Sequence, residues 1–146
     1  MDTLHIDNGF KKIQVNDEGE CIEFSIVDND FFGRFSELVK WIEGQEKVIS
    51  DMQEQQEKVV AGEGIDFEAL GNVLVIRSKI SSEVCKRIDS IFGDEASRKI
   101  FGGISPDFLA ITDFLGQIMP LIESYAKERR KNINCRYSKN RRGAKS

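Results

Sequence analysis

The sequence predicts a mainly α fold of the α+β class: an N-terminal β-hairpin, then a bundle of amphipathic helices, then a disordered basic C-terminal tail. Three observations predict it. Apolar residues alternate with period two up to Val27 and recur at three- and four-residue steps from Phe31 onward. Glycine clusters separate the helical stripes, and the charge changes sign abruptly near residue 127.

The hairpin is read from Phe10 to Val27. Ile13 and Val15 alternate with Lys12, Gln14 and Asn16, while Ile22, Phe24 and Ile26 alternate with Glu23 and Ser25. The polar run Asn16-Asp17-Glu18-Gly19-Glu20 is its turn. An isolated hairpin is marginal in water, so its apolar face requires a helix or a further strand to rest on.

A first helix follows. Phe31, Phe32, Phe35, Leu38, Val39 and Ile42 form its stripe behind a cap at Asp28 or Asp30. It continues through Val48, Ile49, Met52 and Val59, weakened at Gly44 and polar all round at residues 53–58, a half expected to be solvated or paired with another helix. Gly62-Glu63-Gly64 reads as a hinge. A second helix carries Val73, Ile76, Ile80, Val84, Ile88 and Ile91 and stops at Gly93, the residue type favoured just past a helix C-terminus. Asp94 is the expected cap of a short helix ending near Phe101, before Gly102-Gly103.

The last helix is expected to start at Ser105 as N-cap, with Pro106 at the first helical position and Asp107 on the favourable end of the dipole. Its stripe is Phe108, Ile111, Leu115, Ile118, Ile122 and Tyr125, with Pro120 as an expected kink. Beyond Arg130 only Ile133, Cys135 and Tyr137 remain apolar, too few to hold the segment against a core. The chain is therefore divided into one helical domain, residues 1–130, and a basic tail, residues 131–146, disordered when free.

Composition limits the function. At 146 residues there is room for one domain and one modest core, and apolar residues at 40% are ordinary for a globular chain. No apolar run approaches the roughly 20 residues of a membrane helix, and the start Met1-Asp2-Thr3-Leu4-His5 has neither basic flank nor apolar core of a signal sequence. A cytosolic protein is expected. Cys21, Cys85 and Cys135 are far apart and odd in number, which argues for reduced thiols. With a single histidine, His5, a zinc enzyme lacks its nitrogen ligands, so no metal or other cofactor is expected.

Neither glycine cluster carries the Lys-Ser/Thr of a phosphate loop, and an acid between glycines repels phosphate. Asp28-Asn29-Asp30 lacks the closing glutamate of a calcium loop. Paired acids at predicted helix starts are explained by the dipole, and Cys85 on an apolar helix flank reads as packing. No catalytic residues are assigned, and no enzyme is expected.

Two features point to binding. Phe31, Phe32, Phe35 and Trp41 are dense enough to combine core packing with a protein-binding face, together with Phe108, Ile111 and Leu115 of the last helix. The second is charge. Residues 1–126 carry 24 acids and 12 bases, whereas residues 127–146 carry Glu128 alone against nine bases, among them Arg129, Arg130, Lys131, Arg136, Lys139, Arg141 and Arg142. Such a tail binds phosphates weakly and salt-sensitively, or an acidic protein surface.

The order of elements, with Phe31…Arg34-Phe35…Leu38, then Ile88-Asp89-Ser90-Ile91-Phe92-Gly93, Ile100-Phe101-Gly102 and Phe114-Leu115…Pro120…Ile122…Tyr125, resembles the small tail assembly chaperones of siphophages and prophages of Gram-positive bacteria. The resemblance spans about residues 10–130. It implies a non-enzymatic factor in the host cytoplasm that coats the tape measure protein while tail tube protein polymerises around it, and that self-associates. The basic tail has no match in that pattern. The alternative is a small phage or bacterial nucleic-acid-associated protein acting through the tail.

Overall fold

The computed structural model describes residues 1–61 and 67–143. Strands β1 (Phe10–Gln14) and β2 (Cys21–Ser25) are followed by helices α1 (Phe31–Ala61), α2 (Phe67–Phe92), α3 (Ala96–Phe101) and α4 (Phe108–Gly143). This is the expected hairpin followed by helices. The Gly62-Glu63-Gly64 hinge lies outside the described residues.

The strands pair antiparallel with Ile13 opposite Ile22, which puts the apolar alternates of both on one face. Asn16 closes the turn, its Oδ1 accepting from the backbone N–H of Glu18 (3.0 Å) and Glu20 (3.1 Å). Its Nδ2 donates to the Lys99 carbonyl at 3.2 Å, tying the turn to α3.

Both aspartates before α1 are used. The Asp30 carbonyl accepts the first helical bond, from Arg34 N at 3.0 Å, while Asp28 Oδ1 accepts from Asp30 N at 2.9 Å. Gly44 does not interrupt the helix. α2 ends as expected at Phe92, with Gly93 at φ 106°, where only glycine is unstrained, donating to the Asp89 carbonyl at 2.9 Å.

Two cap assignments are corrected. Asp94 does not cap α3: the N-cap position is Glu95, in the left-handed region, and it makes no side-chain cap bond. Asp89, still on α2, supplies the missing acceptor, its Oδ1 receiving Ser97 N at 2.8 Å. For α4 the cap is Asp107, whose Oδ1 accepts from Ala110 N at 2.8 Å and whose carbonyl accepts from Ile111 N at 3.1 Å. Ser105 instead hydrogen-bonds the buried Ser81 hydroxyl at 2.9 Å, because a tertiary polar partner on α2 competes for it. Pro106 is buried ahead of the helix.

The core joins every element. Ile22, Phe24 and Ile26 of the hairpin face Phe31, Phe35, Leu38 and Ile42 of α1, Val84, Ile88 and Phe92 of α2, and Ile111, Phe114, Leu115, Ile118 and Ile122 of α4. Aromatic rings form its spine. Phe24 stacks on Phe31 at 4.7 Å and meets Phe92 and Tyr125 edge-on at 5.7 Å each, while Phe92 reaches Phe114 at 6.5 Å.

Phe31 and Phe35 meet Phe92, whereas Ile49 packs with Val73, so α1 and α2 run antiparallel as a helical hairpin. Its far half leaves the main core, and among the described residues it holds the small Ile49–Val73 cluster, with Ile80 and Phe108 against it. The buried stripe of α2 is rotated from the expected one: Ser81 and Phe92 are buried, and Ile76 is 44% exposed. α1 packs along the helix, Phe92 at its end meets Phe114 of α4, and Ser81 turns toward Ser105.

α4 passes through Pro120 without a break and remains helical to Gly143. The expected disordered tail is thus helical up to that residue, although it does not pack: each described side chain from Lys131 to Ser138 is exposed. An anchored helix propagates through Lys, Arg and Asn without a new nucleus, and no breaker intervenes before Gly143. Residues 144–146 lie outside the described residues.

Candidate protein-binding surfaces

The seven aromatic and aliphatic residues expected to bind a partner divide by burial. Phe31, Phe35, Ile111 and Leu115 are core residues, between 1% and 8% exposed, which corrects their assignment to a docking face. Phe32, Trp41 and Phe108 are half-buried. Trp41 lies under the guanidinium of Arg87, 4.6 Å from the ring centroid, and Arg87 is held in turn by Glu83 at 3.0 Å. A tryptophan capped in this way belongs to the α1–α2 contact.

Apolar surface is exposed elsewhere. On the far half of α2, Phe67 is 75%, Leu74 48% and Val75 54% exposed, and Ile76 joins them on the adjacent side. Val48 of α1, at 41%, adds to the apolar surface of the same helical hairpin. Sequence reasoning placed Ile76 in the core and passed over Phe67, Leu74 and Val75, because they fall outside the 3.6-residue stripe. The signal that finds them is an excess of apolar residues around a helix that has one small cluster to fill.

The basic segment is a projecting helix. Arg129 is half-buried, and Arg130, Lys131 and Arg136 are exposed. The side chains of Lys139, Arg141 and Arg142 lie outside the described ones. Ile133 and Tyr137, one turn apart, are 52% and 71% exposed, so this helix presents both charge and an apolar strip. At its root Lys11 of β1 reaches Glu128 at 3.4 Å and sits 5.3 Å from the Tyr125 ring centroid.

Ionisable groups are spread through the fold. Glu20 binds Arg98 at 2.9 Å, and this guanidinium, which also pairs with Glu95, holds the Glu20 carboxyl below its ordinary value and is itself raised. Burial pushes the Cys85 thiol up, away from a reactive thiolate. Among the described residues no group of three or more His, Cys, Asp or Glu is placed to hold a metal ion, and no helix is long and apolar enough to cross a membrane.

No curated protein and no solved structure matches the chain. A family model described as "Family of unknown function (DUF6673)" matches residues 18–146, from the hairpin turn to the end of the chain. The chain belongs to the DUF6673 family.

Proposed function

We propose that this protein is a non-enzymatic assembly factor that binds amphipathic helices of a client, acting as a tail assembly chaperone on a tape measure protein in the bacterial host cytoplasm while tail tube protein polymerises. The observation that carries the binding part is the apolar surface Phe67, Leu74, Val75 and Ile76, exposed on a helical hairpin beyond the main core. A client helix laid along that hairpin buries anchors at helical spacing, the usual mode of helix recognition. The phage assignment rests on the sequence motifs, since the family is described as one of unknown function.

The test is co-expression with a tape measure fragment. The fragment is expected to stay soluble and co-purify with the wild-type chain and to be lost with Leu74→Glu/Val75→Glu, while circular dichroism of the variant remains helical. Light scattering of the protein alone is expected to show concentration-dependent association. A strict monomer that ignores the fragment overturns the proposal.

A second reading is favoured by the projecting basic helix, with Arg130, Lys131, Arg136 and Tyr137 exposed. It is nucleic-acid binding through residues 131–146. Under it, deleting the tail abolishes binding to DNA or RNA, with a log–log salt slope of about −0.9 per phosphate neutralised on duplex DNA. Under the chaperone reading the truncated chain still folds and keeps its client soluble.

A further inference from the structure

The two-stranded sheet leaves the edge of β1 open, and on the edge of β2 a side chain of α3 engages the Cys21 carbonyl. Val15 N donates to the Glu20 carbonyl (2.9 Å) and Ile26 N to the Gly9 carbonyl (3.0 Å), so residues 9, 11, 13 and 15 turn their backbone groups toward β2. Phe10, Lys12 and Gln14 therefore turn theirs outward. On β2 the equivalent outward carbonyl of Cys21 is taken by Lys99 Nζ at 3.3 Å. Among the described residues nothing bonds the outward backbone groups of Phe10, Lys12 and Gln14.

Beside this edge lies an open groove of about 670 Å³. It is lined by Ile13 of β1, Val15 just after that strand, Phe101 of α3, and Asp113, Phe114, Ile118 and Leu121 of α4. The side chains of Lys11, Ile13 and Val15 share the inner face with Ile22 and Phe24, while those of Phe10, Lys12 and Gln14 stand on the outer face, exposed.

We propose that β1 is a docking edge for an extended segment of a partner protein, which adds as a third strand with an acidic residue opposite Lys12 and an apolar residue opposite Ile13. Unpaired backbone donors and acceptors at the two-residue period require an extended occupant. The residue of that strand opposite Lys12 shares its outer face, on the side of Lys12 away from Glu23 of β2, and among the described residues no ion pair within 4 Å holds the ammonium, so a carboxylate fits there. Of its two neighbours, the one opposite Ile13 points inward to the groove between Ile13 and Leu121 and is apolar, while the other faces Lys11, already held by Glu128. A second copy of this chain is the poorer occupant, because antiparallel pairing of β1 with itself in full register sets Lys12 opposite Lys12. The proposal is independent of the helix-binding surface on α2.

The test uses the full chain and two capped synthetic peptides, Thr-Val-Glu-Val-Thr-Val and the same sequence with lysine in place of glutamate. Amide hydrogen exchange is read by NMR at Phe10, Lys12 and Gln14. The glutamate peptide is expected to slow these amides saturably and to bind about fivefold tighter than the lysine peptide, the size of one cross-strand charge pair. Lys12→Glu is expected to reverse the preference, and Leu121→Asp to weaken both peptides. The peptide pair alone on the wild-type chain keeps the test decisive should a variant fail to fold. No slowing at millimolar peptide, or slowing confined to Phe67–Ile76, overturns the proposal. Slowing in peptide-free protein that grows with its concentration also overturns it, in favour of self-pairing.

Discussion

The carboxylate of Asp89, on the last turn of α2, accepts the backbone N–H of Ser97, on the first turn of α3, at 2.8 Å. One helix thus caps the next across the Gly93 bend, and the residue at the formal cap position, Glu95, contributes no side-chain bond. Asp89→Ala is expected to destabilise the protein by about 0.5–2 kcal/mol, as loss of a helix cap does. Asp94→Ala is expected to stay within about 0.5 kcal/mol. Urea titration of the two variants separates them; equal losses would contradict the assignment.

Burial distinguishes Ile88 from Ile76 on the same helix. Ile88 is fully buried and Ile76 is 44% exposed. Ile88→Ala is expected to cost about 2–5 kcal/mol and Ile76→Ala about 0.5 kcal/mol or less. Thermal or urea unfolding of each checks it, and a large loss at Ile76 would mean that its face is covered.

Gly9 and Gly116 are opposite cases of one substitution. A Cβ at Gly9 meets Val27 Cγ2 at 2.5 Å with φ at 61°, whereas at Gly116, inside α4, nothing lies within 4 Å. Gly9→Ala is expected to destabilise by about 1–3 kcal/mol through left-handed strain and the clash. Gly116→Ala is expected to stabilise by about 0.5–1 kcal/mol, the helix propensity difference. Unfolding midpoints with opposite signs are the expected result.

The Glu20–Arg98 pair sets a pH dependence. Arg98 holds the Glu20 carboxyl below its ordinary value in the folded chain, so the unfolded chain binds the proton more readily. The stabilisation is fully present above the ordinary carboxylate range and is lost as pH falls through the depressed folded value. Glu20→Gln is expected to flatten the acid limb of stability against pH, with little change near neutrality in the remaining slope. An unchanged acid limb would remove the pair from the account.

The projecting end of α4 contributes no buried side chain between Lys131 and Ser138. Deleting residues 131–146 is expected to leave the unfolding midpoint unchanged within error. A cooperative loss of stability would show that the segment packs.

The hairpin, the stripes of α1 and α4 and the Gly93 stop were legible because each depends on local periodicity or a single backbone conformation. The α1 stripe through Phe31, Phe35, Leu38 and Ile42 and the α4 stripe through Ile111, Leu115, Ile118 and Ile122 are buried as read. The sequence did not reveal which aromatic residues stay free. Phe31 and Phe35 are equally apolar whether they meet Phe24 and Phe92 or a partner, and only the seating of the hairpin on α1 and α2 consumes them. The open edge of β1 was likewise invisible, since which of its backbone groups face outward depends on its pairing register with β2.

By itself the sequence determined the elements up to Arg130 and their order, because side-chain period and backbone permission at glycine act over a few residues. It also determined the acidic body and basic end, which are sums over the chain. Tertiary structure alone decided the rest. Helix caps moved to Asp89 and Asp107 once distant or neighbouring acceptors lay nearer than the expected ones, and Ser105 turned to Ser81. The buried face of α2 was set by where α1 and α4 press on it, which exchanged Ile76 for Ser81 and Phe92. Burial is a property of the assembled elements, and only their assembly leaves Phe67, Leu74 and Val75, and the outer edge of β1, open to solvent.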